Sequence, residues 1–247
     1  MLQKELEQYK ENGFCIISQL LTKKEVKELL EEINTFIVNK SKNLKGREIN
    51  KVNDSINSIH CLAKEENYFT NLAKTEKIMS LASVLLEDQA ELRGAELFAK
   101  PAKVGLPSPM HQDNFYWCIA GANGLTIWVA LDYCDESNGG LTYYKASHKL
   151  GLLEHKDSLA PGSSQMIADS KLLENLAGHK ICPSLQPGDC LVHHSLTIHG
   201  SSANHSERSR RGFTMQFKAQ SATYDRKMLE HYESRLIAQI EAREAIV

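Results

Sequence analysis

No stretch of this chain approaches the roughly 20 consecutive apolar residues that a bilayer-spanning helix needs. Neither sign of charge is in excess: 29 Lys and Arg stand against 31 Asp and Glu. That balance directs no strong field at nucleic acid or anionic lipid. The six cysteines, at positions 15, 61, 118, 134, 182 and 190, form no CxxC pair. The opening segment, MLQKELEQYKENG, is a charged helical stretch with no apolar core of a signal peptide. A disulfide framework is therefore not expected, and the thiols should be reduced and mostly buried. The expected setting is the cytoplasm, with a small-molecule substrate and neither membrane nor nucleic acid as partner. The oligomeric state is open, with a monomer slightly preferred.

What the chain does have is an ordinary globular balance, 42% hydrophobic and 24% charged over 247 residues. That length suits one full-sized domain, 1–247. Periodicity divides it unevenly. After a short opening helix, Gly13 breaks the pattern and 14–17 reads as a brief strand. Thr22 with Glu25 three residues later makes a capping box. Val26, Leu29, Leu30, Ile33, Phe36 and Ile37 then follow at helical spacing. Residues 40–66 are polar and irregular, and read as a long loop. A second amphipathic helix is predicted over 70–86.

From about residue 91 the apolar period becomes two. Strands are expected at 91–100, through His111 to Trp117, and at 125–132, 140–144, 189–194 and 211–218. Gly- and Pro-containing turns separate them. The segment 150–181 is long enough to be a functional lid. A last helix, from 225, should bury Met228, Tyr232, Leu236 and Ile240, on its own barrel rather than on a second subunit. Helices first and many strands after predict a mainly β fold with amino-terminal helices outside it.

The chemistry centres on His111-Gln112-Asp113. On extended backbone, residues two apart face the same way, so this imidazole and carboxylate converge. His199 could supply a third ligand, in the run His193-His194-Ser195-Leu196-Thr197-Ile198-His199. Two imidazoles and a carboxylate suit the facial triad of non-haem Fe(II) oxygenases, which leaves positions open for co-substrate and oxygen. Zinc accepts the same ligands. His193 and His194 could each be packed strand histidines, whereas His60, His155, His179, His205 and His231 read as surface or loop residues.

The wider pattern resembles the phytanoyl-CoA dioxygenase family of Fe(II)/2-oxoglutarate oxygenases. The resemblance begins with Tyr9-Lys10-Glu11-Asn12-Gly13-Phe14 and Leu20-Leu21-Thr22. It continues through His111-Gln112-Asp113, Trp128-Val129-Ala130-Leu131-Asp132, Asn138-Gly139-Gly140-Leu141 and Ala146-Ser147-His148-Lys149. It ends with Pro187-Gly188-Asp189, His199-Gly200-Ser201 and Arg210. Lys145-Ala146 stands where the family usually has Pro-Gly.

The resemblance implies a double-stranded β-helix, or jelly roll. It makes His111, Asp113 and His199 the iron ligands and 2-oxoglutarate and O2 the co-substrates. It places Arg210 on the far carboxylate of 2-oxoglutarate and puts Trp128 and Ser201 along the co-substrate pocket. The implied reaction is hydroxylation of a small molecule's C–H bond with release of succinate and CO2. Alternatives are a desaturase or halogenase of the same type, a zinc or nickel hydrolase or isomerase of cupin shape, and a non-catalytic metal-binding member. A halogenase needs a small residue where Asp113 stands, and a hydrolase would have no use for Arg210.

Alternation chooses among three neighbouring arginines. Arg210 shares a strand face with Gly212, Thr214 and Gln216, a polar or small set suited to a lumen. Arg211 shares its face with Phe213, Met215 and Phe217, and Arg208 reads as part of a solvated turn. On the strand at 125–132, Thr126, Trp128 and Ala130 face inward while Leu125, Ile127, Val129 and Leu131 face the helices.

Overall fold

The change of apolar period near residue 90 marks a boundary between layers in the structure, a computed structural model that describes residues 2–158, 160 and 164–244. The helices before it are α1 (Leu2–Asn12), α2 (Lys23–Lys40), α3 (Leu62–Glu65), α4 (Asn67–Ala73) and α5 (Glu76–Leu86). Among them lie β1 (Phe14–Ile17), β2 (Ile49–Val52) and β3 (Ser55–Ile59). Then come β4 (Ala90–Lys100), β5 (Ser108–His111), the short α6 (Asp113–Trp117), β6 (Gly124–Ala130) and β7 (Leu141–Tyr144). The intervening segment holds β8 (His155–Asp157), β9 (Gln165–Ile167), α7 (Ser170–Asn175) and β10 (Lys180–Ile181). The chain closes with β11 (Cys190–His194), β12 (His199–Ser201), β13 (Arg210–Ala219) and α8 (Arg226–Glu244).

A seven-stranded sheet runs β1-β11-β6-β13-β4-β3-β2, and a four-stranded sheet runs β10-β7-β12-β5. Every pairing is antiparallel, as a jelly roll requires. The outer face of the large sheet carries Leu125, Ile127, Val129, Phe213, Met215 and Phe217. They pack against Val26, Leu29, Ile33 and Phe36 of α2 and Ile78, Leu81 and Leu85 of α5. Each such fully buried side chain contributes roughly 1.5–3 kcal/mol relative to exposure. The inner face meets the small sheet through Trp128, Ala130, Leu141, Tyr143 and Leu191. The predicted alternation on β6 and β13 is thus the division between core and lumen.

Thr22 and Glu25 form the expected capping box, each side chain accepting from the other's backbone N–H at 3.2 and 2.7 Å. The expected 70–86 helix is two helices, because Thr75 is extended (ψ 146°) and restarts the chain as the cap of α5. The expected loop at 40–66 contains the β2–β3 hairpin. Asn53 and Asp54 both have positive φ (45° and 61°), the backbone that suits a tight hairpin turn. The hairpin lacks a regular apolar alternation because Asn50 and Asn57 face a cavity, while Ile49, Ile56 and Ile59 pack on the helical core.

In α8, Tyr232 rests edge-on against Phe115 and Tyr116 of the same chain, with ring centroids 6.2 and 5.9 Å apart. Leu236 and Ile240 lie outside the described side chains. No helix among the described residues is long and apolar enough to cross a membrane. All six cysteines are free, and five are buried.

Ala146 stands where the resemblance leads one to expect glycine, and its φ is 59°. The turn is kept without the residue that suits it, at a strain of roughly 1–2 kcal/mol for an L side chain. Glycine relieves that strain but costs about 0.4–1 kcal/mol in the unfolded chain. Ala146→Gly should therefore raise stability by up to about 1 kcal/mol, read from the urea midpoint at unchanged slope.

Candidate metal and co-substrate site

Strand β5 ends at His111, and the extended Gln112 (φ −121°, ψ 131°) leads into the first residue of α6, Asp113. The strand therefore stops short of the predicted one through Trp117. The extended Gln112 keeps the two-residue alternation just long enough. Its own side chain points away, fully buried, and bonds Gly151 O, Leu196 O and the N–H of Leu153. His199, opposite His111 in the β12–β5 register, completes the set. One ligand atom from each of His111, Asp113 and His199 lies within 4.8 Å of the others.

The hydrogen bonds around these residues fix which atoms are free. His111 Nδ1 lies 2.7 Å from Pro109 O, and His199 Nδ1 lies 2.9 Å from Thr197 O. A carbonyl only accepts, so each Nδ1 carries the proton and each Nε2 is a bare lone pair. Those Nε2 atoms lie 3.7 and 3.6 Å from Asp113 Oδ1. Asp113 Oδ2 is occupied, accepting from Thr126 Oγ1 at 2.7 Å and meeting His193 Nε2 at 3.1 Å. The far nitrogen of His193, Nδ1, is 2.9 Å from the Tyr143 hydroxyl.

Burial holds the His111 and His199 imidazoles down to about 4, each reinforced by a neighbouring histidine, so both are neutral near pH 7. Burial alone would raise the Asp113 carboxyl, but His199, His193 and His111 together outweigh it and hold the group well below the usual range. The result is two neutral nitrogen donors and one anionic oxygen converging on one point, the donor set that divalent iron accepts.

These three residues line a cavity of about 740 Å³ that also contains Arg210, Trp128 and Ser201. Arg210 is 2% exposed, and its Nε and Nη2 donate to Gly139 O at 3.0 and 2.8 Å. Its Nη2 lies 3.5 Å from Ser201 Oγ, and its guanidinium sits 5.4 Å from the Trp128 ring. Gly212 is obligatory here: a Cβ on it would lie 2.0 Å from the Trp128 indole. Arg208 instead pairs with Asp135 at 3.0 Å on the exterior, and Arg211 grips Asp132 through two bonds of 2.9 and 2.7 Å. Of the three, Arg210 alone faces the cavity and has no carboxylate partner among the described residues.

Sequence reasoning left several residues unassigned. Thr126 was placed on the inward face but not tied to Asp113. His193 was left between two readings, and its place on β11 beside the inward Leu191 is the signal that separates it from His194. His194 accepts from Leu196 N–H and lies near Tyr9. Two histidines read as surface residues are not. His155 is buried, receives the Gln112 N–H at 3.1 Å and stacks on Phe115 at 4.2 Å. His60 lies 3.1 Å from Glu96. Lys100, opposite Arg210 in the β13–β4 register, is 4% exposed and donates to Leu106 O and Ser202 O.

Residues 9–212 match the family model described as phytanoyl-CoA dioxygenase. The chain belongs to this family. Membership makes it an oxygenase of the iron- and 2-oxoglutarate-dependent class. It is 25% identical over 234 residues to a probable alpha-ketoglutarate-dependent hypophosphite dioxygenase from Stutzerimonas stutzeri. That match covers 90% of this chain and 80% of the relative. The fold is similar to that of EctD from S. alaskensis, solved with 2-oxoglutarate and 5-hydroxyectoine, with a TM-score of 0.76 at 19% identity. It covers 90% of this chain and 78% of that one. It is also similar to SnoN, an alpha-ketoglutarate-dependent epimerase from nogalamycin biosynthesis, with a TM-score of 0.71 at 21% identity, covering 90% and 84%.

Burial, with Arg210 nearby, pushes the Lys100 ammonium down to about 6 from an ordinary 10.5. Between those values the unfolded chain binds a proton that the folded chain does not, so stability should rise with pH across about 6 to 10.5. Lys100→Met should flatten that part of the profile, measured by urea unfolding of the metal-free protein. An unchanged slope would show that Lys100 stays charged in the folded state.

Proposed function

We propose that this chain is an Fe(II)- and 2-oxoglutarate-dependent dioxygenase that hydroxylates a C–H bond of a small molecule. In this reading His111 Nε2, His199 Nε2 and Asp113 Oδ1 hold the iron. Arg210 takes the far carboxylate of 2-oxoglutarate, with Trp128 and Ser201 along the co-substrate's path. The observation that carries it is a three-atom donor set sharing a cavity with a buried arginine that no described carboxylate neutralises.

Held there, Fe(II) would supply, with 2-oxoglutarate and O2, the oxidant for C–H cleavage, with succinate and CO2 as co-products. The protein's share is positional. Thr126 and His193 fix Asp113 Oδ2 and leave Oδ1 for the metal. Pro109 O and Thr197 O fix the imidazole tautomers. A dicarboxylate needs a forked cation at its distal end, and Arg210 offers parallel donors now resting on Gly139 O. Trp128, held flat over Gly212, walls the arginine from water.

Anaerobic Fe(II) and 2-oxoglutarate should give the weak visible charge-transfer band of the chelate, and His111→Ala, Asp113→Ala and His199→Ala should each remove it. With a substrate in hand, the product should gain one oxygen atom derived from O2 by mass spectrometry. Epimerised, cyclised or chlorinated product without that oxygen would overturn the hydroxylase reading.

Arg210→Lys keeps the charge but loses the fork, a cost of roughly 1.5–3 kcal/mol when one charge-assisted bond goes. Calorimetry should then find 2-oxoglutarate bound about 10- to 150-fold more weakly, with iron binding intact. Arg211→Lys should change co-substrate affinity little. The reverse pattern would mean that the face assigned to the co-substrate is the wrong one.

A further inference from the structure

Beyond the metal and the co-substrate end, the cavity holds a second arginine that neither uses. Arg93 lies at an irregularity in β4. Gly94 pairs with Gln216 and Leu92 with Phe217, so Arg93 has no partner across the β13–β4 ladder. A bulge of this kind re-aims a side chain, and bulges gather beside active sites. Here the guanidinium turns into the cavity and lies 4.6 Å from the ring of Trp117. Trp117 is the last residue of α6, the one-turn helix that opens with Asp113. The cation is therefore held by the same element that presents the carboxylate of the metal site.

No carboxylate or hydrogen-bond acceptor meets Arg93 among the described residues, and its Nε is buried without a partner. The cavity's own acidic groups are already engaged. Asp113 belongs to the metal-site cluster, and Glu96 lies 3.1 Å from His60. On β3, the strand paired with β4, Asn57 Oδ1 also lines this cavity and is buried and unpartnered. Buried polar groups rarely go unmatched, so a free donor and a free acceptor in one cavity describe the ligand that fills it. Arg93 and His60 also line an outer groove bordered by Lys64 and Lys74 as well as Glu48, a mostly basic approach that favours an incoming anion.

We infer that the primary substrate is a small anion-bearing molecule, whose carboxylate or phosphorus oxyanion is held by Arg93 over Trp117, while Asn57 Oδ1 accepts from an N–H or O–H elsewhere on the same molecule. This rests on the reading of the cavity as an Fe(II)/2-oxoglutarate site. It adds that the substrate is anchored at its charged end, with the C–H bond to be attacked set between Arg93 and the metal ligands.

The test uses the full chain loaded with Mn(II) and 2-oxoglutarate, which does not turn over, with loading read from the Mn(II) electron paramagnetic resonance signal. Acetate, methylphosphonate and acetamide are titrated at constant ionic strength and followed by calorimetry. At least one anion should bind at least about tenfold more tightly than acetamide, and the stronger of acetate and methylphosphonate assigns the anionic group. Arg93→Gln should weaken that anion at least about tenfold while Mn(II) and 2-oxoglutarate affinities hold, and Arg93→Lys should recover part of the loss. Equal binding of anions to wild type and Arg93→Gln, or no anion binding at millimolar concentration, would overturn the assignment. If Mn(II) and 2-oxoglutarate fail to load, the metal-site reading falls instead. The same titration of metal-free wild type and Arg93→Gln then still reads Arg93 alone.

Discussion

Everything in the site depends on keeping one carboxylate ionised inside the barrel. Asp113 is mostly shielded from water, and burial by itself would favour the protonated acid. Three imidazoles and the Thr126 hydroxyl surround it and reverse that preference. The same contacts divide its two oxygens, one fastened to the sheet and the other facing the neighbouring imidazoles. The four partners come from β5, β6, β11 and β12, so the two sheets must be in register for the carboxylate to be held. The fold and the donor set are in this sense one arrangement, with the jelly roll acting as the outer shell of the centre.

The lumen follows from the strand period. On β6 and β13 the apolar members of each pair face the helices, which leaves small and polar residues to line the interior. Gly212 and Trp128 show how closely these faces are matched. The missing side chain on one strand is the space that the indole of its neighbour occupies. Arg210 then lies against that indole, its charge met among the described residues by carbonyl and hydroxyl oxygens.

How much of this was legible in the sequence depends on whether a residue's environment is written in its neighbours. The inward and outward faces of β6 and β13, the capping box at Thr22 and the convergence of His111 with Asp113 are all local patterns, and all could be read. The β2–β3 hairpin could not, because strands that turn asparagines toward a cavity lose the apolar alternation that marks a strand. His155 and His60 could not be placed either, since their partners lie 43 and 36 positions away along the chain. The unequal roles of His193 and His194 become visible only once β11 is paired with β6. Arg93 was invisible for a related reason: a one-residue irregularity in the ladder shifts it out of the alternation that surrounds it.

The manner in which α8 meets the barrel has a dynamic consequence. Tyr232 forms part of the cavity wall, yet the helix carrying it is joined to the rest by ring edges and by Arg235, which bonds Asp157 and His155 O. Strands of the barrel are each held by a ladder of backbone bonds and by apolar burial, whereas the described side chains of this wall meet the barrel through rings and one arginine. Local opening draws on such weakly fastened elements first. Release of this helix would open the cavity without breaking any strand pairing, and would leave the carboxylate and imidazoles behind it in their places.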